Sequence, residues 1–347
     1  MIRADLTLVP DPSADLGEGG PAPLRRRGRS QQTSKAPERL AFPPSPPTPS
    51  WARASGTAGE GDPLFAAGAS LALLDSFLRR DPPSAGALRS RLALISAAAS
   101  AKILRLNADT AGLRDLRFAV GEELGPAAKL LGLWRTLADR PAVLDPKRIV
   151  DAAAALDLAV DPNGLASNLK DCTGQSDPVS AAAKAAALVL STLPDAPTAE
   201  AEILALWVFD MVIAIRLRWP RPVPLIGVKI LDPGLRSRGG GRPRPGDQAW
   251  PKAAARAIAL AAASALDLAT DFARRAETLV AVAPKLRAKP AAKVVDLLLA
   301  EDCVSPAEAA RQAPMTDRAA RRLFDRLLAL GAVREFSGRP TFRLYGL

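Results

Sequence analysis

The sequence contains no histidine among its 347 residues. Histidine is the usual general base near neutral pH and a common ligand of protein-bound metals. Its absence excludes Ser-His-Asp and Cys-His catalytic pairs, and it excludes metal sites built on imidazole. We therefore expect that the protein is not an enzyme and that it uses no metal or other cofactor.

Cysteine and aromatic residues are also scarce. The two cysteines, Cys172 and Cys303, cannot form a four-thiolate zinc site or a disulfide framework. Aromatic residues make up only 4% of the chain, but apolar residues reach 48%, which is enough to build a folded core. Alanine and leucine supply much of that share and favour helices. The composition predicts a mostly α-helical protein.

No apolar run is long enough to cross a bilayer. The most apolar stretch, residues 203–215, is too short and contains Asp210. We expect Asp210 to lie in a buried helix, in an ion pair with Arg216 or Arg218. The amino terminus has no apolar signal segment. These features predict a soluble, cytoplasmic protein without a membrane partner.

The charge balance is strongly basic. Lysine and arginine total 47 against 36 acidic residues, which gives a formal net charge of +11. Such an excess favours binding to polyanions, nucleic acid first. A compositional explanation stays open, because GC-rich bacterial coding also enriches arginine, alanine, glycine and proline.

Three regions follow from the distribution of proline, alanine and charge. Residues 1–61 are rich in proline, carry the cluster Arg25–Arg29 and predict a disordered arm. Residues 62–284 predict an all-α body of antiparallel helices. The predicted helices are 63–80, 84–106, 110–119, 126–140, 146–158, 162–171, 178–193, 198–218 and 251–282. Four of them begin at an Asp-Pro pair, in which Asp is a favoured cap and Pro a favoured first residue.

The segment 219–251 interrupts the body. Its prolines and the triplet Gly239–Gly241 predict an irregular, flexible loop. It is also the most basic region of the chain, and we expect its arginines to contact phosphate. The alternative is an ordinary connection with solvated charges. The predicted phosphate contacts are Arg236, Arg238, Arg242 and Arg244.

Residues 290–347 predict a winged helix-turn-helix. A first helix spans 291–300, and a second begins at Ser305-Pro306 with Glu308 completing a capping box. A third runs from Thr316 or Asp317 to Leu330 and stops at Gly331. The remainder reads as a hairpin whose tip, the wing, is 337–340. Three helices and a hairpin in so short a segment are typical of this fold.

The third helix of this segment has two faces. Its inner stripe consists of Ala320, Leu323, Phe324, Leu327 and Leu328. In helix-turn-helix proteins this helix lies in the major groove, where guanidinium groups bind guanine edges or phosphate. The predicted DNA-binding residues are Thr316, Arg318, Arg321, Arg322 and, at the wing tip, Arg339.

The electrostatics of this segment leave a second reading open. Residues 291–347 hold nine basic and seven acidic residues, so their net charge is only +2. Asp325 on the outer face of the third helix would repel phosphate. Winged helices also serve protein contacts, so a protein-interaction module is the alternative to a DNA-binding protein.

Several stretches resemble known families. The run RLRWPRPVPL at 216–225, FAAGA at 65–69 and the closing winged helix resemble an alphaproteobacterial, chiefly rhizobial, family called domain of unknown function 1403. The resemblance covers roughly 62–347 and implies architecture, but no mechanism.

Residues 330–339 are similar to the closing strands of Fic-type proteins. The Fic motif uses a histidine and an Asp-Gly-Asn-Gly loop, and this chain has neither. That resemblance implies a protein that has lost AMP transfer, or a degenerate enzyme that still binds nucleotide through 236–244.

Taken together, these features predict a sequence-specific DNA-binding protein, either a regulator or an accessory factor of a plasmid or mobile element. We expect the helical body to supply a homodimer interface or a partner surface.

Overall fold

Helices dominate the computed structural model, which describes residues 62–118, 125–172, 177–236, 240–286, 290–339 and 342–347. The predicted arm, residues 1–61, lies outside the described residues. The prediction of a mostly α-helical protein is confirmed, since the described residues hold thirteen α-helices and only two short strands. All of them belong to one compact unit. The predicted domain boundary near 284–290 stays a prediction.

The helices are α1 Pro63–Leu78, α2 Ala85–Ile103, α3 Thr110–Phe118, α4 Pro126–Asp139, α5 Pro146–Ala154, α6 Pro162–Cys172, α7 Pro178–Ser191, α8 Thr198–Arg216, α9 Ile226–Lys229, α10 Trp250–Val282, α11 Ala291–Ala300, α12 Pro306–Gln312 and α13 Asp317–Ala329. Two 3₁₀ turns, Pro233–Leu235 and Ala283–Lys285, accompany them. The strands are β1 Arg334–Glu335 and β2 Tyr345–Gly346.

The Asp-Pro pairs start helices as predicted. The Asp62 carboxylate accepts a hydrogen bond from the Leu64 amide at 3.0 Å, and Asp145 accepts one from Arg148 at 2.8 Å. Asp161 and Asp177 each accept two backbone amides in the same way. A capping carboxylate satisfies amides that have no partner within the helix. The local sequence therefore defines where α1, α5, α6 and α7 begin.

Two helices form the centre of the body. Every residue from 201 to 214 of α8 is buried, while α10 packs along α1 and also contacts α2 and α7. Among the described residues, α10 is the one helix long and apolar enough to span a membrane, with a mean hydropathy of 1.4 in its most apolar window. Within that window 61% is buried inside the protein, as is typical of a core helix.

The segment 219–251 differs from the flexible loop that we predicted. Trp219, Val223, Leu225 and Ile230 are buried, and the segment contains α9 and a 3₁₀ turn. Apolar residues between the prolines attach it to the core. The described part of the segment is therefore built into the body rather than extended into solvent.

The predicted ion pair of Asp210 is wrong. In the described part of the chain its carboxylate, which is fully buried, accepts hydrogen bonds from the backbone amides of Leu225 at 2.9 Å and Ile226 at 3.0 Å. Burial raises the pKa of Asp210 to about 8, although the two amides oppose the shift. Asp210 thus anchors the start of α9 to the middle of α8.

Candidate nucleic-acid interface

The C-terminal segment places α13 between α12 and a small sheet. Strands β1 and β2 pair antiparallel, with Arg334 opposite Gly346 and Glu335 opposite Tyr345. Val304, between α11 and α12, forms an antiparallel bridge to Tyr345 on the other side. Tyr345 is buried, and its ring stacks on Phe324 of α13 with a centroid distance of 4.6 Å. The sheet therefore fixes the inner face of α13.

Both ends of α13 follow the predicted signals. The Thr316 hydroxyl accepts a hydrogen bond from the Ala319 amide at 3.3 Å. Gly331 has φ +65°, a left-handed conformation that glycine adopts without strain, and the Ala332 amide closes the end by donating to the Leu327 carbonyl at 2.9 Å. Ser305 caps α12 in the same way, with its hydroxyl accepting from the Glu308 amide at 3.1 Å.

The predicted arginines of α13 lie on one exposed surface. Arg318, Arg321 and Arg322 are exposed, whereas Ala320, Phe324 and Leu327 are buried. Among the described residues none of the three arginines has an ion-pair partner within 4 Å. The predicted inward position of Leu328 is wrong, since this side chain is 39% exposed.

A cleft of about 280 Å³ lies along one side of α13. Its lining consists of Arg321 and Asp325 of α13, residues 305–307 at the start of α12, and Phe342, Arg343 and Tyr345. Arg343 projects into it, 3.5 Å from the Asp325 carboxylate and 3.9 Å from that of Glu335. The neighbouring Tyr345, Glu335 and Asp325 raise the pKa of Arg343.

Sequence reasoning missed Arg343, although a signal was present. In the sequence, the charged Arg343 stands between the apolar residues Phe342 and Leu344 of the predicted hairpin strand. Alternation in a strand directs successive side chains to opposite faces. Arg343 could therefore have been assigned to the face that adjoins α13.

Three acidic residues of the C-terminal segment turn towards the body. Asp302 contacts Arg91 and lies 2.7 Å from Arg114, and Glu308 lies 2.9 Å from Arg117. Glu301 lies 3.0 Å from Arg135. The arginines come from α2, α3 and α4, at least 166 residues away in sequence. This network, which we call the docking cluster (Arg91, Arg114, Arg117, Arg135, Glu301, Asp302 and Glu308), connects the C-terminal segment to the body.

Burial and charge act against each other in the docking cluster. Burial favours a raised pKa for Asp302, but Arg91 and Arg114 outweigh it and hold the pKa below the usual range. For Glu308 burial prevails over Arg117, and the pKa is raised. Burial favours a lowered pKa for Arg135, but Glu301 reverses the effect.

The arginines of the loop that we predict to contact phosphate lie in different surroundings. Arg242 and Arg244 both pair with Glu202 of α8, which is 2% exposed, and Arg244 lies 2.8 Å from it. Arg236 is exposed, and Arg238 lies outside the described residues. Because Glu202 already neutralises Arg242 and Arg244 in part, these residues fasten the loop to α8. Their phosphate contact stays a prediction.

Arg339 lies apart from the arginines of α13. Its guanidinium contacts Asp115 of α3 at 2.8 Å, although 60% of its side chain remains exposed. Arg334 of β1 similarly contacts Asp271 of α10 at 2.9 Å. The hairpin therefore leans on the body through two exposed ion pairs, which contribute little to stability.

Comparison with known proteins gives one family. The family model described as "Protein of unknown function (DUF1403)" matches residues 40–347. No curated protein matches the sequence.

Proposed function

We propose that this chain, which belongs to the DUF1403 family of proteins of unknown function, binds double-stranded DNA. In this proposal residues 290–347 act as a winged helix-turn-helix, and α13 enters the major groove. The element order supports it: three helices, a bridging residue between the first two, and a terminal antiparallel pair of strands.

The distribution of charge carries the proposal. All nine basic residues of 291–347 are exposed, whereas three of its seven acidic residues are occupied in the docking cluster. Two of the nine basic residues, Arg334 and Arg339, pair with Asp271 and Asp115 of the body. The remaining surface therefore carries seven basic residues against four acidic ones, a net charge of +3. The net charge of +2 that argued against DNA binding underestimates the field that a phosphate backbone would meet.

The spacing of the exposed arginines suits base readout. Arg318 and Arg322 are one turn apart on α13, so their side chains share a face. A guanidinium can bind both acceptors of a guanine edge, which makes arginine–guanine the commonest specific contact in the major groove. The Thr316 hydroxyl is used as the helix cap, so its contact with DNA stays a prediction of this proposal.

The test is an anisotropy titration of the full chain with labelled duplexes, preceded by selection from random DNA. We expect binding that weakens steeply with salt, because each phosphate contact releases counterions. Arg318→Ala with Arg322→Ala should remove preference among sequences, each base contact being worth about 1–3 kcal/mol. The matched control is Lys129→Ala with Arg140→Ala, which removes the same charge from exposed ion pairs of the body and should retain the preference.

An absence of binding at low salt, or an unchanged preference in the Arg318/Arg322 variant, would favour the alternative function. That alternative is a protein-interaction module, and one observation supports it: Leu328 and Leu330 are each 39% exposed at the end of α13. A partner protein could bury these two side chains at the centre of its contact with α13.

The proposal assigns no catalytic step to the chain. It includes dimerisation through the helical body, because paired recognition helices read two half-sites and gain specificity. It also places the protein in the cytoplasm with DNA.

A further inference from the structure

The cleft beside α13 brings together charges from two separate parts of the segment. Arg321 comes from α13 and Arg343 from the chain before β2, and both are exposed. Asp325 is the acidic residue in the cleft, so the described lining carries a net charge of +1. Ser305 at the start of α12 adds a polar group to the lining. The cleft is therefore open and weakly cationic, and Pro306, Ala307 and Phe342 make part of its lining apolar.

The ion pairs of Arg343 are long and partly exposed, so its guanidinium remains available to bind another anion. Its ion pair with Asp325 is long, at 3.5 Å, and the side chains are 43% and 60% exposed. Such exposed pairs contribute little to stability, since water competes for both partners. The contact of Arg343 with the Glu335 carboxylate is longer still, at 3.9 Å. An anion can thus replace Asp325 at the guanidinium without breaking a buried contact.

The position of the cleft relative to α13 suggests which anion it receives. At 3.6 residues per turn, Arg321 is rotated by about 60° from Arg318 towards one side of the helix. A helix in the major groove has base edges in front of it and a phosphate backbone on each side. When the side of α13 with Arg321 and the cleft faces one phosphate backbone, the side with Arg318 and Arg322 faces the base edges.

We propose that Arg321 and Arg343 bind a backbone phosphate of the DNA in this cleft. The inference rests on the proposed function, and it adds Arg343 as a phosphate-binding residue outside α13. Phosphate oxygens suit two guanidinium groups, which donate in a planar geometry. Free phosphate presents the same oxygens, so the test must separate these two sources.

The variant Arg343→Ala is compared with Arg334→Ala, an exposed arginine in the same hairpin that pairs with Asp271. Both are titrated with two labelled duplexes of unrelated sequence over a range of salt. We expect Arg343→Ala to weaken both duplexes by the same factor and to reduce the slope of log K against log salt by about 0.9, the value of one phosphate. Arg334→Ala should leave the slope unchanged, and Arg343→Lys should restore it.

A second arm uses inorganic phosphate alone, measured by calorimetry. If Arg343→Ala binds DNA with the wild-type slope of log K against log salt, the proposal that the cleft binds a DNA phosphate is wrong. The proposed function is then unaffected. If DNA does not bind but phosphate binds in a way that needs Arg343, the cleft stands as a phosphate site and the proposed function falls. Absence of both kinds of binding overturns both proposals. Circular dichroism of each variant verifies that it is folded.

Discussion

Asp302→Asn tests whether the docking cluster holds the C-terminal segment to the body. Asp302 is largely buried, contacts Arg91 and lies 2.7 Å from the Arg114 guanidinium. Asparagine keeps the size and shape of the side chain but removes its charge. The substitution therefore leaves two guanidinium groups, 15% and 14% exposed, without their nearest countercharge.

The expected loss is about 3 kcal/mol in the free energy of unfolding. Removing one partner of a buried ion pair costs roughly 3–5 kcal/mol, because the remaining charge is neither hydrated nor paired. Two features place the expected loss for Asp302→Asn near the lower limit of this range. Both arginines retain some contact with water, and both lie over the ring of Phe336, at 5.0 Å for Arg91 and 4.6 Å for Arg114.

Urea unfolding followed by circular dichroism measures this loss. The matched control is Asp115→Asn, which removes the partner of Arg339 in an exposed pair and should cost less than about 1 kcal/mol. If Asp302→Asn costs no more than this control, the docking cluster does not stabilise the fold and the reasoning fails.

The pH dependence gives an independent measure. Because Arg91 and Arg114 lower the pKa of Asp302 in the folded protein, its contribution to stability is present above the unfolded pKa of about 3.9. That contribution is lost as pH falls through the lower folded pKa. The difference between wild type and Asp302→Asn should therefore be largest near neutral pH and shrink in acid.

Two further substitutions test the body. Gly227→Ala should lower the free energy of unfolding by about 1–3 kcal/mol in a urea titration, because the added Cβ would lie 2.8 Å from the Ser96 Cα. An unchanged urea midpoint would mean that α9 moves freely. For Asp210, a pKa raised to about 8 means that stability is full below about pH 4 and is lost as pH rises through 8. The wild type should lose up to about 1.4 kcal/mol per pH unit in this window, and Asp210→Asn should remove that slope; a variant with the wild-type slope would show that another group titrates.

Short-range signals in the sequence predict much of the fold. Helix starts and stops depend on contacts within a few residues, so they can be predicted from the sequence alone. The examples are the four Asp-Pro pairs, the Ser305 cap and Gly331. Helix ends differ from prediction by a few residues because the last turn depends on what it packs against. The extent of the hairpin was overestimated for a related reason, since only two residues in each strand are paired.

The remaining features depend on contacts between distant residues. Glu202 meets Arg242 and Arg244 about forty residues later, and Asp302 meets Arg91 at a separation of 211. No local pattern specifies which acid meets which arginine, because the pairing follows from helix packing. The sequence therefore predicts a flexible loop at 219–251 and does not show that Glu202 binds its arginines.

Steric contact as well as charge fixes the C-terminal segment to the body. A Cβ at Gly86 of α2 would lie 2.8 Å from the Ala300 Cα, so the end of α11 approaches α2 at a distance that only glycine permits. The same turn carries Glu301 and Asp302 of the docking cluster. A segment held this firmly loses little conformational freedom when it binds a ligand, which favours affinity.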